Sequence, residues 1–187
     1  MKYSSLLEKA VRFAAAYHDG QYRKDTINEK KLPYVSHLIS VAAIVSQYTD
    51  DDETICSALL HDILEDTPFT PEELKKEFGE RIFAIVDALS ENYLYKNEEV
   101  PVHEQKQLYV KKLKEAQKEA VLIASADKTH NLESSLKSSK WVSREPPVDF
   151  FRFHNAVLQI VKNVLGSEHP ITQRHAAALE EAEKVLK

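Results

Sequence analysis

The densest chemistry in the chain lies in His61-Asp62-Ile63-Leu64-Glu65-Asp66-Thr67, an imidazole and three carboxylates in close succession. The spacing predicts one helix that starts at an Asp50–Asp52 cap and runs through Ile55, Leu59, Ile63 and Leu64. At about 100° per residue, Asp62, Glu65 and Asp66 then fall about 100°, 40° and 140° from His61, on the side opposite Leu60, Ile63 and Leu64. Charges crowded in this way repel one another unless they are solvated, protonated or neutralised by a cation. A bound metal resolves the conflict, and a solvated acidic face accounts for this segment alone equally well.

Two residues elsewhere extend the set. His37 stands in the first turn of an apolar helix, and Asp127 ends the run Val121-Leu122-Ile123-Ala124-Ser125-Ala126, which is apolar enough to carry it into the core. A carboxylate in that position should be paired or ligating. Two imidazoles and two carboxylates form a mixed nitrogen and oxygen donor set, suited to Mn²⁺, Fe²⁺ or Mg²⁺ and less to zinc.

These residues need a scaffold, and the composition restricts it. At 187 residues the chain has the size of a single domain, 1–187, with one core that buries roughly 70% of the unfolded surface. Its three glycines, Gly20, Gly79 and Gly166, are too far apart for a Walker loop or a Rossmann fingerprint. So few also argue against an all-β fold with many tight turns. The single cysteine, Cys56, excludes an intramolecular disulfide and a multi-thiolate zinc site. A formal charge of -5 without a dense Lys/Arg block argues against a nucleic-acid duplex as partner but not against a local basic pocket for a small anion. The sequence shows neither a secretory h-region nor an apolar run of membrane-spanning length, so a cytoplasmic protein without membrane contact is expected.

Helical spacing dominates. Leu6, Leu7, Ala10, Val11, Ala14 and Ala15 predict a helix over about 4–18, residues 19–32 read as an exposed polar loop, and Pro33 opens the helix that carries His37, Val41, Ile44 and Val45. Thr70-Pro71-Glu72-Glu73 is a capping box that starts two helices interrupted near Gly79. Periodicity lapses between Asn92 and Val102, resumes through Leu108 and Leu113 and again from Val121 toward Leu136, and stops at Arg144-Glu145-Pro146-Pro147. Residues 150–165 and 172–186 read as two terminal helices. An all-α domain of about eight or nine helices accounts for every segment.

The order His37, His61-Asp62, Asp127 resembles the H…HD…D signature of the HD phosphohydrolase superfamily, an all-helical fold that holds a divalent metal. His61 to Thr67 is similar to the H-D-x-x-E-D-T segment of the hydrolase domain of Rel/SpoT proteins and small alarmone hydrolases, and Ala126-Asp127-Lys128-Thr129-His130-Asn131 to its A-D-[KR]-x-x-N segment. Gly20-Gln21-Tyr22-Arg23-Lys24 and Pro33-Tyr34-Val35-Ser36-His37 match the G-Q-x-R-K and P-Y-x-x-H elements. The chain departs from that family in a loop about four residues longer before Pro33, in Leu38 where a proline is usual, and in Asp87-Ala88-Leu89-Ser90-Glu91-Asn92, which is closer to stand-alone HD proteins. The last third resembles it only in helical character and Trp141.

The resemblance implies that His37, His61, Asp62 and Asp127 bind a divalent metal, Mn²⁺ by preference. Glu65 and Asp66 would orient water or move its proton, and Arg23, Lys24 and Asn131 would contact substrate. The implied reaction is removal of the 3′-pyrophosphate from guanosine 3′,5′-bis(diphosphate). Alternatives are an HD-domain phosphatase acting on another nucleotide, such as NADPH or a nucleoside monophosphate, and a non-catalytic module that binds a nucleotide for regulation. The expected partner is a small-molecule nucleotide, with the oligomeric state open. His130 is read as a supporting histidine, and His18, His103, His154, His169 and His175 as surface or packing residues. Lys106, Tyr109, Lys112 and Arg152 are weighed as the lining of an anion pocket, with a solvated face preferred for the lysines.

Overall fold

A computed structural model describes residues 3–90, 101–137 and 148–186. The lapse of periodicity after Asn92, the Glu91-Asn92 end of the departing segment, Trp141 and the Arg144–Pro147 stop lie outside these residues. The described chain is helical, as the spacing predicts, with nine helical elements and one short hairpin. Helix α1 (Ser5–Tyr17) begins where the Ser4 hydroxyl accepts a hydrogen bond from the Leu7 amide, and it buries Leu7, Ala10 and Ala14.

The polar stretch after α1 is not a loop. It folds into an antiparallel hairpin of β1 (Tyr22–Ile27) and β2 (Lys30–Pro33), with Tyr22 opposite Pro33 and Ile27 opposite Lys30. Asn28 and Glu29 make the two-residue turn with φ of 49° and 67°, the conformation that suits the twist of a hairpin. No apolar alternation announces these strands because neither has a buried residue. The register shifts between Tyr22 and Thr26, an irregularity of the kind that re-aims side chains, and Arg23 lies within it.

Helices α2 (Val35–Val45) and α3 (Asp52–Leu60) follow, the latter capped by Asp51, whose carboxylate accepts from the Thr54 amide at 3.2 Å. The long helix expected through His61-Asp62 breaks at those two residues. A separate short helix, α4 (Ile63–Asp66), resumes after them. Both the Glu65 and the Asp66 amides turn back onto the Asp62 carbonyl, at 3.1 and 2.9 Å, and this tightened turn takes the place of the even polar face read from the sequence. Helix α5 (Pro71–Leu89) opens with the Thr70/Glu73 capping box and is kinked at Gly79, where φ is 86° and ψ 168°.

The remaining helices are α6 (Val102–Glu115), α7 (Lys118–Lys137), α8 (Val148–Leu165) and α9 (Pro170–Leu186). Helix α7 is the central rod, packed against α2, α3, α5, α8 and α9. Its residues Ala120 to Asp127 are all buried, as expected for a helix that is apolar on every side. The main core joins α1 through α8 and the start of α9 at Ile171, with Leu60, Ile63, Ile82, Ile85 and Ile123 fully enclosed. A smaller cluster of Leu132, Leu158 and Leu179 joins the far halves of α7, α8 and α9. Cys56 packs in the main core as a small apolar group. No helix among the described residues is long and apolar enough to cross a membrane.

Candidate active site

Three elements converge on one buried cavity. Helix α2 brings His37, the α3–α4 break brings His61 and Asp62, and α7 brings Asp127. His37 Nε2 lies 3.1 Å from Asp127 Oδ1 and 3.8 Å from Asp62 Oδ2, and His61 Nε2 lies 3.2 Å from Asp62 Oδ2 and 3.7 Å from Asp127 Oδ1. Among the described residues, His37, His61 and Asp127 form a buried group whose donor atoms lie within 4.8 Å of one another, and Asp62 flanks it.

The donor set fits a cation on independent grounds. His61 Nδ1 donates to the Ala58 carbonyl at 2.8 Å; a carbonyl only accepts, so the Nε2 lone pair of the neutral ring is turned into the cavity. That Nε2 is a buried atom with no hydrogen-bond partner, which such an atom rarely lacks. Without a metal a proton takes the position. Burial opposes the charge on His61, but Asp62 and Asp127 outweigh it and raise its pKa to about 9. Burial alone would raise the Asp127 carboxyl, yet the Lys128 ammonium, the hydrogen bond of His37 and the charge of nearby His61 hold it well below the usual carboxylate range.

Further contacts hold the donors in place. Tyr34 donates its phenolic proton to Asp62 Oδ2 at 2.7 Å, and its pKa is driven far up by burial and by the Asp62 charge. Asn131 donates from Nδ2 to Asp127 Oδ1 at 2.6 Å. Lys128 Nζ stands 2.9 Å from Asp127 Oδ2 and lies over the rings of Tyr109 and Phe153. His37 and His130 face each other through their Nδ1 atoms at 2.8 Å, and burial, His37 and Arg23 lower the His130 pKa to about 4.

Glu65 and Asp66 line the same cavity, which measures about 170 Å³. Partial desolvation and then the Asp62 charge raise the Asp66 carboxyl above its ordinary value. The cavity shares Tyr34, Lys128 and Asn131 with a second one of about 450 Å³, walled by Arg23, Lys24, Lys106, Phe150, Phe153 and His154. Arg23 donates from Nη2 to Asn131 Oδ1 at 3.1 Å and to Ser134 Oγ at 3.2 Å. Its guanidinium thereby joins the hairpin to α7, whereas Lys24 is exposed at the rim.

All nine residues singled out in the sequence thus line these two adjacent cavities. Arg23 and Lys24 are held on a strand rather than a loop. Of the weighed anion-pocket residues, Lys106 and Tyr109 line the cavities, Lys112 pairs with Asp87 at 3.1 Å, and Arg152 lines a separate apolar recess between α6 and α8. Sequence reasoning assigned no role to Tyr34 or Lys128, although each adjoins a chosen motif residue, nor to Phe150, Phe153 and His154. The aromatic spacing of those last three reads as ordinary helix packing. Buried His18 and His175 fit the packing reading, whereas His154 is buried and also walls the second cavity.

The HD domain family matches residues 10–146 of the chain. A Haemophilus influenzae guanosine-3′,5′-bis(diphosphate) 3′-pyrophosphohydrolase is 37% identical over 128 residues, 66% of this chain but only 18% of that protein. Proteins named guanosine-3′,5′-bis(diphosphate) 3′-pyrophosphohydrolase MESH1 match at nearly full length. The Xenopus tropicalis protein is 30% identical over 88% of this chain and 87% of its own, and the Danio rerio protein 31% over 91% of each. A solved structure described as a metazoan ortholog of SpoT that hydrolyses ppGpp superposes with a TM-score of 0.80 over 97% of both chains at 24% identity, which is a likeness of fold.

Proposed function

Because the chain belongs to the HD domain family, we propose that it is a divalent-metal-dependent phosphohydrolase that takes guanosine 3′,5′-bis(diphosphate) and releases its 3′-pyrophosphate to leave GDP. The observation that carries this reading is the adjacency of two unlike cavities. A pocket of imidazoles and carboxylates shares Tyr34, Lys128 and Asn131 with a larger one that has basic and aromatic walls. The first suits a cation; the second suits a polyanion with a flat base. Two nearly full-length relatives named for this activity support the choice of substrate.

His37, His61, Asp62 and Asp127 hold the ion, for which Mn²⁺ matches the mixed donor set. When bound, the cation offsets the negative charge around phosphorus and lowers the pKa of water. Tyr34 keeps Asp62 turned toward the histidines, and Lys128 keeps Asp127 ionised. Asp66, with its raised pKa, and Glu65 beside it accept the proton of the attacking water. Arg23, braced by Asn131 and Ser134, offers a pre-oriented guanidinium to the phosphates. Phe150 and Phe153 give the base an apolar wall.

The test is a turnover screen over a nucleotide panel with chelator-treated and Mn²⁺-loaded protein, and Asp62→Ala as control. Pyrophosphate from guanosine 3′,5′-bis(diphosphate) in the loaded wild type alone supports the reading, and its absence at high enzyme concentration overturns it. Orthophosphate from NADPH or a nucleoside monophosphate would keep the metal chemistry and change the substrate.

A further inference from the structure

The two histidines of the site are held from behind in different ways. His61 leans on a carbonyl, that of Ala58, at 2.8 Å from its Nδ1. At His37 the corresponding partner is another ring: His37 Nδ1 lies 2.8 Å from His130 Nδ1, with the ring centroids 4.9 Å apart and the planes at 45°. Two facing ring nitrogens at this distance share one proton, so one donates and the other accepts.

The rest of the site decides which. His37 Nε2 is the nitrogen turned toward Asp127 Oδ1, at 3.1 Å, and Asp62 Oδ2, at 3.8 Å. Its lone pair is available there only when the ring proton sits on Nδ1. With a cation at Nε2 the donor is therefore His37 Nδ1, the acceptor is His130 Nδ1, and His130 keeps its own hydrogen on Nε2. His37 belongs to α2 and His130 to α7, so the same bond ties together two of the elements that bring candidate ligands.

From this geometry we infer that His130 is a positioning residue of the metal site: by accepting from Nδ1 it sets the tautomer and ring orientation in which His37 Nε2 binds the cation. The inference rests on the metal reading above. Removal of such a supporting partner weakens metal binding about 10- to 100-fold. His130→Phe keeps a ring and removes the acceptor. His130→Asn places an amide oxygen at the position of Nδ1 and restores it.

The experiment is a Mn²⁺ titration of the chelator-stripped chain, read by the electron paramagnetic resonance signal of free Mn²⁺, with urea unfolding of each stripped variant to verify folding. His130→Phe should bind about 10- to 100-fold more weakly than wild type, with His130→Asn within about threefold. In the wild type loaded with diamagnetic Mg²⁺, long-range ¹H–¹⁵N spectra should show His37 protonated on Nδ1 and His130 on Nε2, a readout that needs no variant to fold. A wild type that takes up no Mn²⁺ overturns the metal reading and this inference together. A wild type that binds, with His130→Phe equal to it, with His130→Asn as weak as His130→Phe, or with His130 protonated on Nδ1 in the Mg²⁺-loaded chain, overturns the inference alone.

Discussion

The two oxygens of Asp127 face different basic side chains: Oδ1 lies 3.1 Å from His37 Nε2, and Oδ2 lies 2.9 Å from the ammonium of Lys128, the next residue in the chain. The side chains of both members are almost enclosed. An enclosed pair that loses one member leaves an uncompensated charge, at a cost of about 3–5 kcal/mol. Lys128→Met should therefore destabilise the stripped protein by about 2–4 kcal/mol in urea unfolding, somewhat less than that limit because protonated His61 remains near Asp127. Lys128→Arg, which keeps the charge, should recover most of the loss. A Lys128→Met protein as stable as wild type would show that Lys128 does not balance Asp127.

Metal uptake should depend on pH through His61. In the metal-free site its pKa stands at about 9, and the proton occupies the Nε2 that would ligate. Below that value each ion bound displaces a proton, so apparent affinity should climb about tenfold per pH unit between pH 7 and 9 and level off above. Calorimetry in buffers of different ionisation enthalpy should detect about one proton released at pH 7.5. The stability of the stripped protein runs the other way. A histidine whose folded pKa is raised above about 6.5 stabilises fully below that pH, and the contribution fades as pH rises through about 9.

Arg23 is fixed by Asn131 and Ser134 before any ligand arrives. Arg23→Ala should lower kcat/KM by about 10- to 100-fold, the scale of one charge-assisted hydrogen bond, and leave Mn²⁺ affinity unchanged. Arg23→Lys should recover only part of this, because an ammonium cannot reproduce the planar fork. Equal losses of metal binding and turnover in Arg23→Ala would move the residue from the substrate to the metal.

Gly79 kinks α5 at a φ of 86° and ψ of 168°, a region open in practice to glycine alone. An added Cβ would meet no atom within 4 Å, so the cost of Gly79→Ala is backbone strain, about 1–3 kcal/mol. Denaturant unfolding should show that loss with metal affinity intact.

The metal-ligand candidates were legible because their chemistry is local in sequence, a histidine–aspartate pair and a carboxylate that ends an apolar run, whereas Arg23, Lys24 and Asn131 were singled out through the family resemblance. The capping box at Thr70 and the kink at Gly79 were legible for the same reason, since caps and breakers act over a few residues. The hairpin was hidden because strands without a buried residue carry no alternation, and its turn uses Asn28 and Glu29 rather than glycine. The break at His61-Asp62 was hidden because both residues retain near-helical dihedrals, so the helical period continues through a point where the hydrogen-bond ladder does not. The couplings of Tyr34 to Asp62 and of His130 to His37 span 28 and 93 residues; only the packing of α2 against α7 and the α3–α4 turn creates them.

The central claim is that this chain cleaves the 3′-pyrophosphate from guanosine 3′,5′-bis(diphosphate) with a metal held by His37, His61, Asp62 and Asp127. The most direct measurement is ³¹P NMR of that nucleotide incubated with the Mn²⁺-loaded chain, with spectra recorded after the metal is removed by chelation. The account predicts equal amounts of GDP and inorganic pyrophosphate, with the 5′-diphosphate intact, and no change when the chelator is added first or when Asp62→Ala replaces the wild type. Orthophosphate as the released product, cleavage at the 5′ position, or equal turnover by Asp62→Ala would contradict it.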